Sequence, residues 1–396
     1  MHTDQDPMGI SYNGVRSELF GLAFRTGLLT VVTLGIYRFW QKTRIRKYIW
    51  SSVNAGGDTF EYTGTGLEKL LGFLVAVVFL AVYLGIIQIA LFYFGLNIMV
   101  DPEEASQAQI IGQVAAIYIS FFAVLPFLLF AVYRARRYKM ARTRFRGIRC
   151  GMEKGAWGYV LRALGYMALQ VVTLGVLTPL QTFRLEKYQA DRSFYGSQRM
   201  VQTGKWTDLY RYMKHIFIGL GLLVLAAVSA VMELYVLAGV AGAVGYVWVI
   251  VGAVHYGVQS FGYLMRHKTL GEVGFTAEPA TGQVIKTYIL GGLLLGVLAS
   301  VIFGMVGAVV AAFAPMLVEG ELPIAFFALL GVAYIVALVM IQALSLVLIT
   351  QPILAHYIST IRVTNPQALN RIAQREAETG VDAEGFADAL DIGGAI

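Results

Sequence analysis

Six stretches of this chain contain no charged residue: 70–100, 110–133, 216–232, 234–254, 287–318 and 322–355. About 20 apolar residues in helical form cross the roughly 30 Å hydrocarbon layer of a bilayer. Inside that layer the backbone must satisfy its own hydrogen bonds, which restricts an apolar run of this length to an α-helix. The stretches therefore predict six transmembrane helices. Composition agrees, with 57% hydrophobic and only 14% charged residues, where a soluble domain carries about 25% charged.

The basic residues decide orientation, because Lys and Arg beside span ends mark the cytoplasmic side. After Tyr133 come Arg134, Arg136, Arg137, Lys139, Arg142, Arg144, Arg146 and Arg149 before any acid, which reads as a cytoplasmic loop. The connection 101–109 holds Asp101, Glu103 and Glu104 and no base, and Glu319 and Glu321 mark a second base-free connection. Both are expected outside. Two more apolar segments, 19–40 and 156–183, contain Arg25 and Arg162. If 156–183 crossed, Arg184, Lys187, Arg192, Arg199, Lys205, Arg211 and Lys214 would all lie outside, against the charge rule. An arginine at mid-span costs about 2.5–3.5 kcal/mol on the insertion scale, and little at an interface where it snorkels. Both segments are therefore expected to be re-entrant or in-plane. The expected topology has six spans and two cytoplasmic termini; eight spans with an outside N-terminus is the competing topology. Residues 1–18 lack the pattern of a cleaved signal peptide.

The same phrases recur along the chain. Val31-Val32-Thr33-Leu34-Gly35 returns as Val171-Val172-Thr173-Leu174-Gly175, displaced by 140 residues. That displacement also aligns Gln41 with Gln181, Arg44 with Arg184, Lys47 with Lys187, Tyr48 with Tyr188 and Thr63-Gly64 with Thr203-Gly204. An Arg-x-x-basic-Tyr phrase stands at 44–48, 134–138 and 184–188. Upstream, Tyr12-Asn13-Gly14-Val15-Arg16 resembles Phe145-Arg146-Gly147-Ile148-Arg149. A fainter third copy pairs Thr281-Gly282 with the two Thr-Gly dipeptides, and Ala355-His356-Tyr357 with Val254-His255-Tyr256. Repeats bury a face against one another, so three helical hairpins around a common axis are expected. The first two are each preceded by an in-plane segment and a short extended stretch, 58–62 and 194–201, rich in Thr and aromatics beside Gly. The fold class is thus an all-α polytopic membrane protein, with two re-entrant or in-plane helices and short cytoplasmic strands. Its parts are a cytoplasmic N-terminal region (1–66), hairpins at 67–133, 213–264 and 285–357, a basic cytoplasmic region (134–212), a cytoplasmic loop (265–284) and a tail (358–396).

The N-terminal residues carry a resemblance. Tyr12-x-Gly14, Leu19-Phe20, Thr33-Leu34-Gly35-Ile36-Tyr37, Trp40, Lys42, Arg44, Tyr48 and Phe60-Glu61-Tyr62-x-Gly64 resemble the YjgN-type family of bacterial inner-membrane proteins. The second copy departs from the pattern, with Leu177 in place of Tyr37 and Leu180 in place of Trp40. The resemblance implies an inner-membrane location. It implies no activity, substrate or catalytic residue.

Candidate site residues follow from charge beside aromatic rings. Trp40, Arg44, Arg46, Tyr48, Arg134, Arg136, Tyr138, Arg184 and Tyr188 are expected at headgroup level, either as interfacial anchors or as contacts to an anionic headgroup or phosphorylated solute. Arginine suits the second role because its planar fork grips phosphate in two places. Arg25 and Arg162 either snorkel or line a cytoplasmic vestibule. His255 and His356 form a candidate intramembrane polar pair, as a proton relay or as interfacial hydrogen-bonding groups. Gly291, Gly292, Gly296, Gly304 and Gly307 read as helix-packing positions, and Glu233 as an outer turn. A short amphipathic helix is expected over 366–379, followed by an acidic tail with Asp382, Glu384, Asp388 and Asp391.

The common catalytic signatures are absent, including His-Glu-x-x-His, Gly-x-Ser-x-Gly and the P-loop. Five histidines and one cysteine offer no metal-ligand spacing. Cys150 alone makes no internal disulfide and is expected as a reduced thiol in the basic loop. The net charge of +7 lies beside apolar spans, which points to anionic lipid rather than nucleic acid. No cofactor is expected. The leading function is binding or passage of an anionic small molecule or lipid through a cytoplasm-facing cavity between repeats. The alternative is a scaffold presenting basic cytoplasmic loops to an unidentified protein partner, and a lipid-modifying enzyme ranks third.

Overall fold

A computed structural model describes residues 6–99, 105–319 and 323–375. The acidic connections at Asp101, Glu103, Glu104 and Glu321, and the tail from Glu376 onward, lie outside the described residues. Among the described residues, six helices are long and apolar enough to cross a membrane: Gly66–Tyr93, Gln107–Ala141, Lys214–Val231, Tyr235–Arg266, Thr281–Ala312 and Ile324–Thr360. Each runs past its charge-free stretch at one end or both, in five of the six across a Lys or Arg, which are good helix formers. The expected basic loop after Tyr133 is therefore corrected. Arg134 to Lys139 continue the helix, Arg142 caps it, and Arg144, Arg146 and Arg149 lie in a β-hairpin, Arg146 in its turn. Cys150 sits in one of those strands, where burial pushes its thiol up to about 12.

One order of elements recurs five times: a five-residue strand, a three-residue link, helices, and a short strand. The first is β1 (Met8–Tyr12), α1 (Arg16–Val32), α2 (Arg38–Ser51) and β2 (Val53–Ala55). The second is β3 (Asp58–Tyr62), α3 (Gly66–Tyr93), α4 (Gln107–Ala141) and β4 (Thr143–Phe145). The third is β5 (Ile148–Met152), α5 (Ala156–Val172), α6 (Thr178–Ala190) and β6 (Ser193–Tyr195). The fourth is β7 (Gln198–Gln202), a 3-10 turn (Trp206–Tyr212), α7 (Lys214–Val231), α8 (Tyr235–Arg266) and β8 (Lys268–Leu270). The fifth is β9 (Val273–Ala277), α9 (Thr281–Ala312), α10 (Ala314–Glu319), α11 (Ile324–Ser345), a π turn (Leu346–Thr350), α12 (Gln351–Thr360) and β10 (Ile361–Thr364).

Several expectations change against this order. It is met five times, not three. β1 lies 140 residues ahead of β5, so Tyr12 corresponds to Met152 and not to Phe145, which opens a hairpin turn. Thr281-Gly282 begins α9, whereas Thr63-Gly64 and Thr203-Gly204 precede their helices. The tail helix is only a 3-10 turn, Pro366–Arg371, followed by non-helical chain to Arg375. Each apolar segment with a mid-run arginine is a helix–turn–helix. The turns place Leu34 and Leu174 at φ 51° and 50°, and Gly35 and Gly175 at φ 92° and 83°. Pro179 then sits in the first turn of α6, where its missing N–H costs nothing.

Successive modules are joined by two-residue hairpin turns: Gly56-Gly57, Arg146-Gly147, Gly196-Ser197 and Gly271-Glu272. Such turns need positive φ, and Gly147 (φ 74°) and Gly271 (φ 59°) supply it. The chain divides into two compact units, Met1–Glu61 with Val201–Arg371, and Tyr62–Met200 with Ile372–Ile396. The first contains the antiparallel order β3-β2-β1-β10-β9-β8. The second contains β4-β5-β6-β7. In the first unit α7 lies against α8, and α1 and α9 lie against α11. In the second, α4 lies against α3 and α5. Glu233 occupies the turn between α7 and α8 at φ 63°. Of the glycines expected at packing faces, Gly291 meets the Leu348 carbonyl, while Gly292, Gly296, Gly304 and Gly307 face open space.

Candidate functional site

The recurring tyrosine has a mechanical role. Tyr48, Tyr138, Tyr188 and Tyr263 each stand five residues before a short strand, and His356 holds that place before β10. Each side chain turns back to the first turn of the helix that opens its module. Val15 N–H donates to the Tyr48 hydroxyl (2.7 Å), which lies 3.0 Å from the Val15 carbonyl. Lys205 N–H and carbonyl bracket the Tyr263 hydroxyl at 2.8 and 3.0 Å, and Asp208 accepts from it at 2.8 Å. The Tyr188 hydroxyl donates to the Gly155 carbonyl at 2.8 Å. The Tyr138 hydroxyl donates to Glu68 at 2.7 Å. Ala280 N–H donates to His356 Nε2 at 3.0 Å.

At Val15, Lys205 and Ala280 the contact satisfies an N–H that a helix start leaves without an intrahelical partner, and at Gly155 and Glu68 it braces the start through a carbonyl and a carboxylate. Val15, Gly155 and Ala280 have no side-chain cap of their own. Burial raises the Tyr48 phenol above its ordinary value, so it keeps the proton it donates. The latch also separates the two candidate histidines. His356 is the counterpart of the tyrosines and not of His255. His255 reaches the same helix start by a different route, with Nδ1 3.2 Å from the Thr281 hydroxyl, and its ring meets His215 edge-on at 4.8 Å.

The candidate arginines divide by environment. Arg25 and Arg44 are exposed on α1 and α2, and Arg44 lies 5.6 Å from the Tyr37 ring, which stacks on Trp40. Arg46 is buried over Trp50. All of these residues belong to the first unit. In the second, Arg136 grips Glu186 with both terminal nitrogens, at 2.7 and 3.0 Å. Arg162 donates to the Gly158 carbonyl and lies over Tyr188, which also carries Arg192 on its ring. Arg184 is exposed on α6. Neither unit contains both Arg25 and Arg162, the residues expected to line a vestibule. Among the described residues no group of three metal-binding side chains converges.

Arg134 is different. It lies at a cleft of about 360 Å³ lined by Val75, Ala76 and Phe79 on α3, Pro126, Phe127 and Phe130 on α4, and Trp157 on α5, with Tyr83 alongside. Its guanidinium is 5.4 Å from the Phe130 ring, and Trp157 lies 5.2 Å from the same ring. Pro126 interrupts the α4 ladder, and one turn away the Tyr83 hydroxyl donates to the Ala123 carbonyl at 3.0 Å. The cleft is a long apolar slot with a cation and an amphipathic ring at one end. Only Arg134 of its lining was legible as a site residue. On a span, Phe127 and Phe130 look like any lipid-facing residue.

Six membrane-length helices, with apolar faces left open and strands at their ends, define a polytopic membrane protein. Comparison with known sequences places it further. The chain belongs to the family of bacterial proteins of unknown function DUF898, whose profile matches residues 7–251. The inner membrane protein YjgN of Escherichia coli O157:H7 is 27% identical over 150 residues, covering 37% of this chain and 32% of the relative. The protein of the same name from Salmonella typhimurium is 28% identical over 99 residues, covering 24% and 25%. The chain thus matches about a third or less of the length of these relatives. They are inner-membrane proteins, which fits a multi-pass protein of that membrane. No solved structure matches the chain.

Proposed function

We propose that this protein holds an anionic lipid, its acyl chain in the α3–α4–α5 cleft and its phosphate at Arg134. The observation that carries this reading is the apolar slot of about 360 Å³ with Arg134 and Trp157 at its mouth. A cavity of this size suits an acyl segment. A guanidinium beside an interfacial tryptophan suits the headgroup level.

The membrane setting belongs to the same proposal. The basic helix ends and hairpins face the cytoplasm, as do both termini, and the acidic connections lie outside. The α1–α2 and α5–α6 pairs are re-entrant hairpins derived from a duplicated module. Their tips support this: Val32, Leu34, Val172 and Leu174 are 78%, 95%, 80% and 88% exposed. Apolar tips this bare are stable in hydrocarbon and costly in water.

The cleft is tested with detergent-purified full-length protein and added phosphatidylglycerol or phosphatidylcholine. Phosphatidylglycerol should raise the melting temperature more. Arg134→Gln should remove that preference while keeping the response to either lipid. Val75→Trp, at an exposed position on the cleft wall, should remove both responses. Identical responses in all three proteins would overturn the assignment and favour the scaffold reading.

Orientation is tested with Ser197→Cys in a Cys150→Ser background. Ser197 is exposed in the β6–β7 turn. The introduced thiol should resist an impermeant maleimide in intact spheroplasts and label after lysis. Labelling in intact cells would support eight spans instead.

A further inference from the structure

The β4–β5 hairpin sets Arg144 directly opposite Arg149. Like charges facing each other across a strand pair are destabilising. Arg375 joins them around a pocket of about 310 Å³, whose remaining lining is Gly147 and Gln374. Among the described residues no carboxylate lines it, and none of the three arginines has an acidic partner.

The pocket is held in place by its surroundings. Arg149 N–H donates to Gln374 Oε1 at 2.8 Å, and Ser197 N–H to the Ala373 carbonyl at 2.8 Å. The Arg375 guanidinium lies 4.7 Å from the Phe194 ring. Segment 372–375 is thereby fastened to both neighbouring hairpins of its unit, and a Cβ at Gly196 would collide with it. Three cations are thus gathered by backbone hydrogen bonds and sheet register, with no described residue of opposite sign among them.

We propose that Arg144, Arg149 and Arg375 bind a phosphate-type oxyanion, either free phosphate or the phosphomonoester of a lipid headgroup. Guanidinium groups approaching from three sides match the several acceptor oxygens of a tetrahedral anion. The anion also removes the repulsion between Arg144 and Arg149. This site shares no residue with the α3–α4–α5 cleft and stands whether or not that cleft holds lipid.

The test uses full-length protein in detergent, titrated with inorganic phosphate or with chloride at matched ionic strength. A second arm uses nanodiscs of phosphatidylcholine with or without phosphatidic acid. Phosphate should raise the melting temperature saturably, beyond the effect of chloride. The double variant Arg144→Gln/Arg149→Gln should weaken half-saturation about tenfold or more, the equivalent of one lost charge-assisted contact. Without anion at low salt, that variant should melt at or above the wild-type temperature, because the cross-strand repulsion is gone. A response to inorganic phosphate identifies a soluble ligand, and a response only to phosphatidic acid discs identifies a headgroup. An unchanged response in the double variant, or no effect of phosphate beyond chloride together with no effect of phosphatidic acid discs, would overturn the site.

Discussion

Replacing Tyr138 with alanine should destabilise the protein by about 3–5 kcal/mol, the range for deleting a large buried side chain. Tyr138 is fully buried, its hydroxyl donates to Glu68, and Arg142 lies 5.7 Å from its ring. Arg142 also pairs with Glu68 at 3.1 Å. The substitution would remove the ring and leave that carboxylate short of a donor at the start of α3. Tyr138→Phe keeps the ring and should lose only the hydrogen bond to a charged group, about 1.5–3 kcal/mol. Unfolding curves of detergent-solubilised protein separate the two. A phenylalanine variant as stable as wild type would remove the latch from the account, leaving packing alone.

Gly252→Leu should also destabilise the protein, by a different mechanism. A Cβ at Gly252 would stand 2.7 Å from the Ile216 backbone nitrogen, and one at Gly219 would stand 2.8 Å from the Val249 nitrogen. In both cases the obstacle is backbone on the partner helix, which cannot turn aside as a side chain can. Helices in a bilayer gain little from hydrophobic contrast with lipid, so close approach through small residues carries much of their association. Overpacking of this kind costs about 1–3 kcal/mol, occasionally more. Gly257→Leu, five residues along the same helix with nothing within 4 Å, is the control. The α7–α8 pair should separate in the first variant and hold in the second, as read by melting temperature or by disulfide trapping between the helices. Equal loss in both would point to helix propensity instead of contact.

The six membrane-length helices were legible because long apolar runs favour unbroken helix in a bilayer. Their ends were not. Arg134 to Lys139 prolong α4 and look like a loop only when charge is equated with irregular chain. Two of the hairpins were hidden for the same reason. Thr143 to Met152 is crowded with arginine, and Lys268 to Ala277 is short and carries no aromatic cluster, while in both the decisive residue is the turn glycine. The Arg-x-x-basic-Tyr phrase was conspicuous for its arginines, yet the hydroxyl at its end does the recurring work. Tyr263 lacks the preceding arginine, and His356 replaces the phenol altogether, so a search by phrase finds three latches of five. His356 was paired with His255 because each precedes a tyrosine. Distance to the next strand, which sequence alone does not mark, is what assigns it. The cleft was the least legible part. Phe79, Phe127 and Phe130 come from different turns of two spans, and a bilayer makes every face of a span apolar, so periodicity cannot pick out the wall of a slot.

From latch to helix start the chain runs 33, 33, 58, 70 or 76 residues. The three-residue link and the five-residue step to the next strand stay fixed. Everything that sets length lies between two invariant joints. An arm can therefore be shortened, extended or grafted from one joint to another without disturbing the register of its neighbours, which makes the strand-and-latch frame a chassis and the membrane helices its interchangeable limbs.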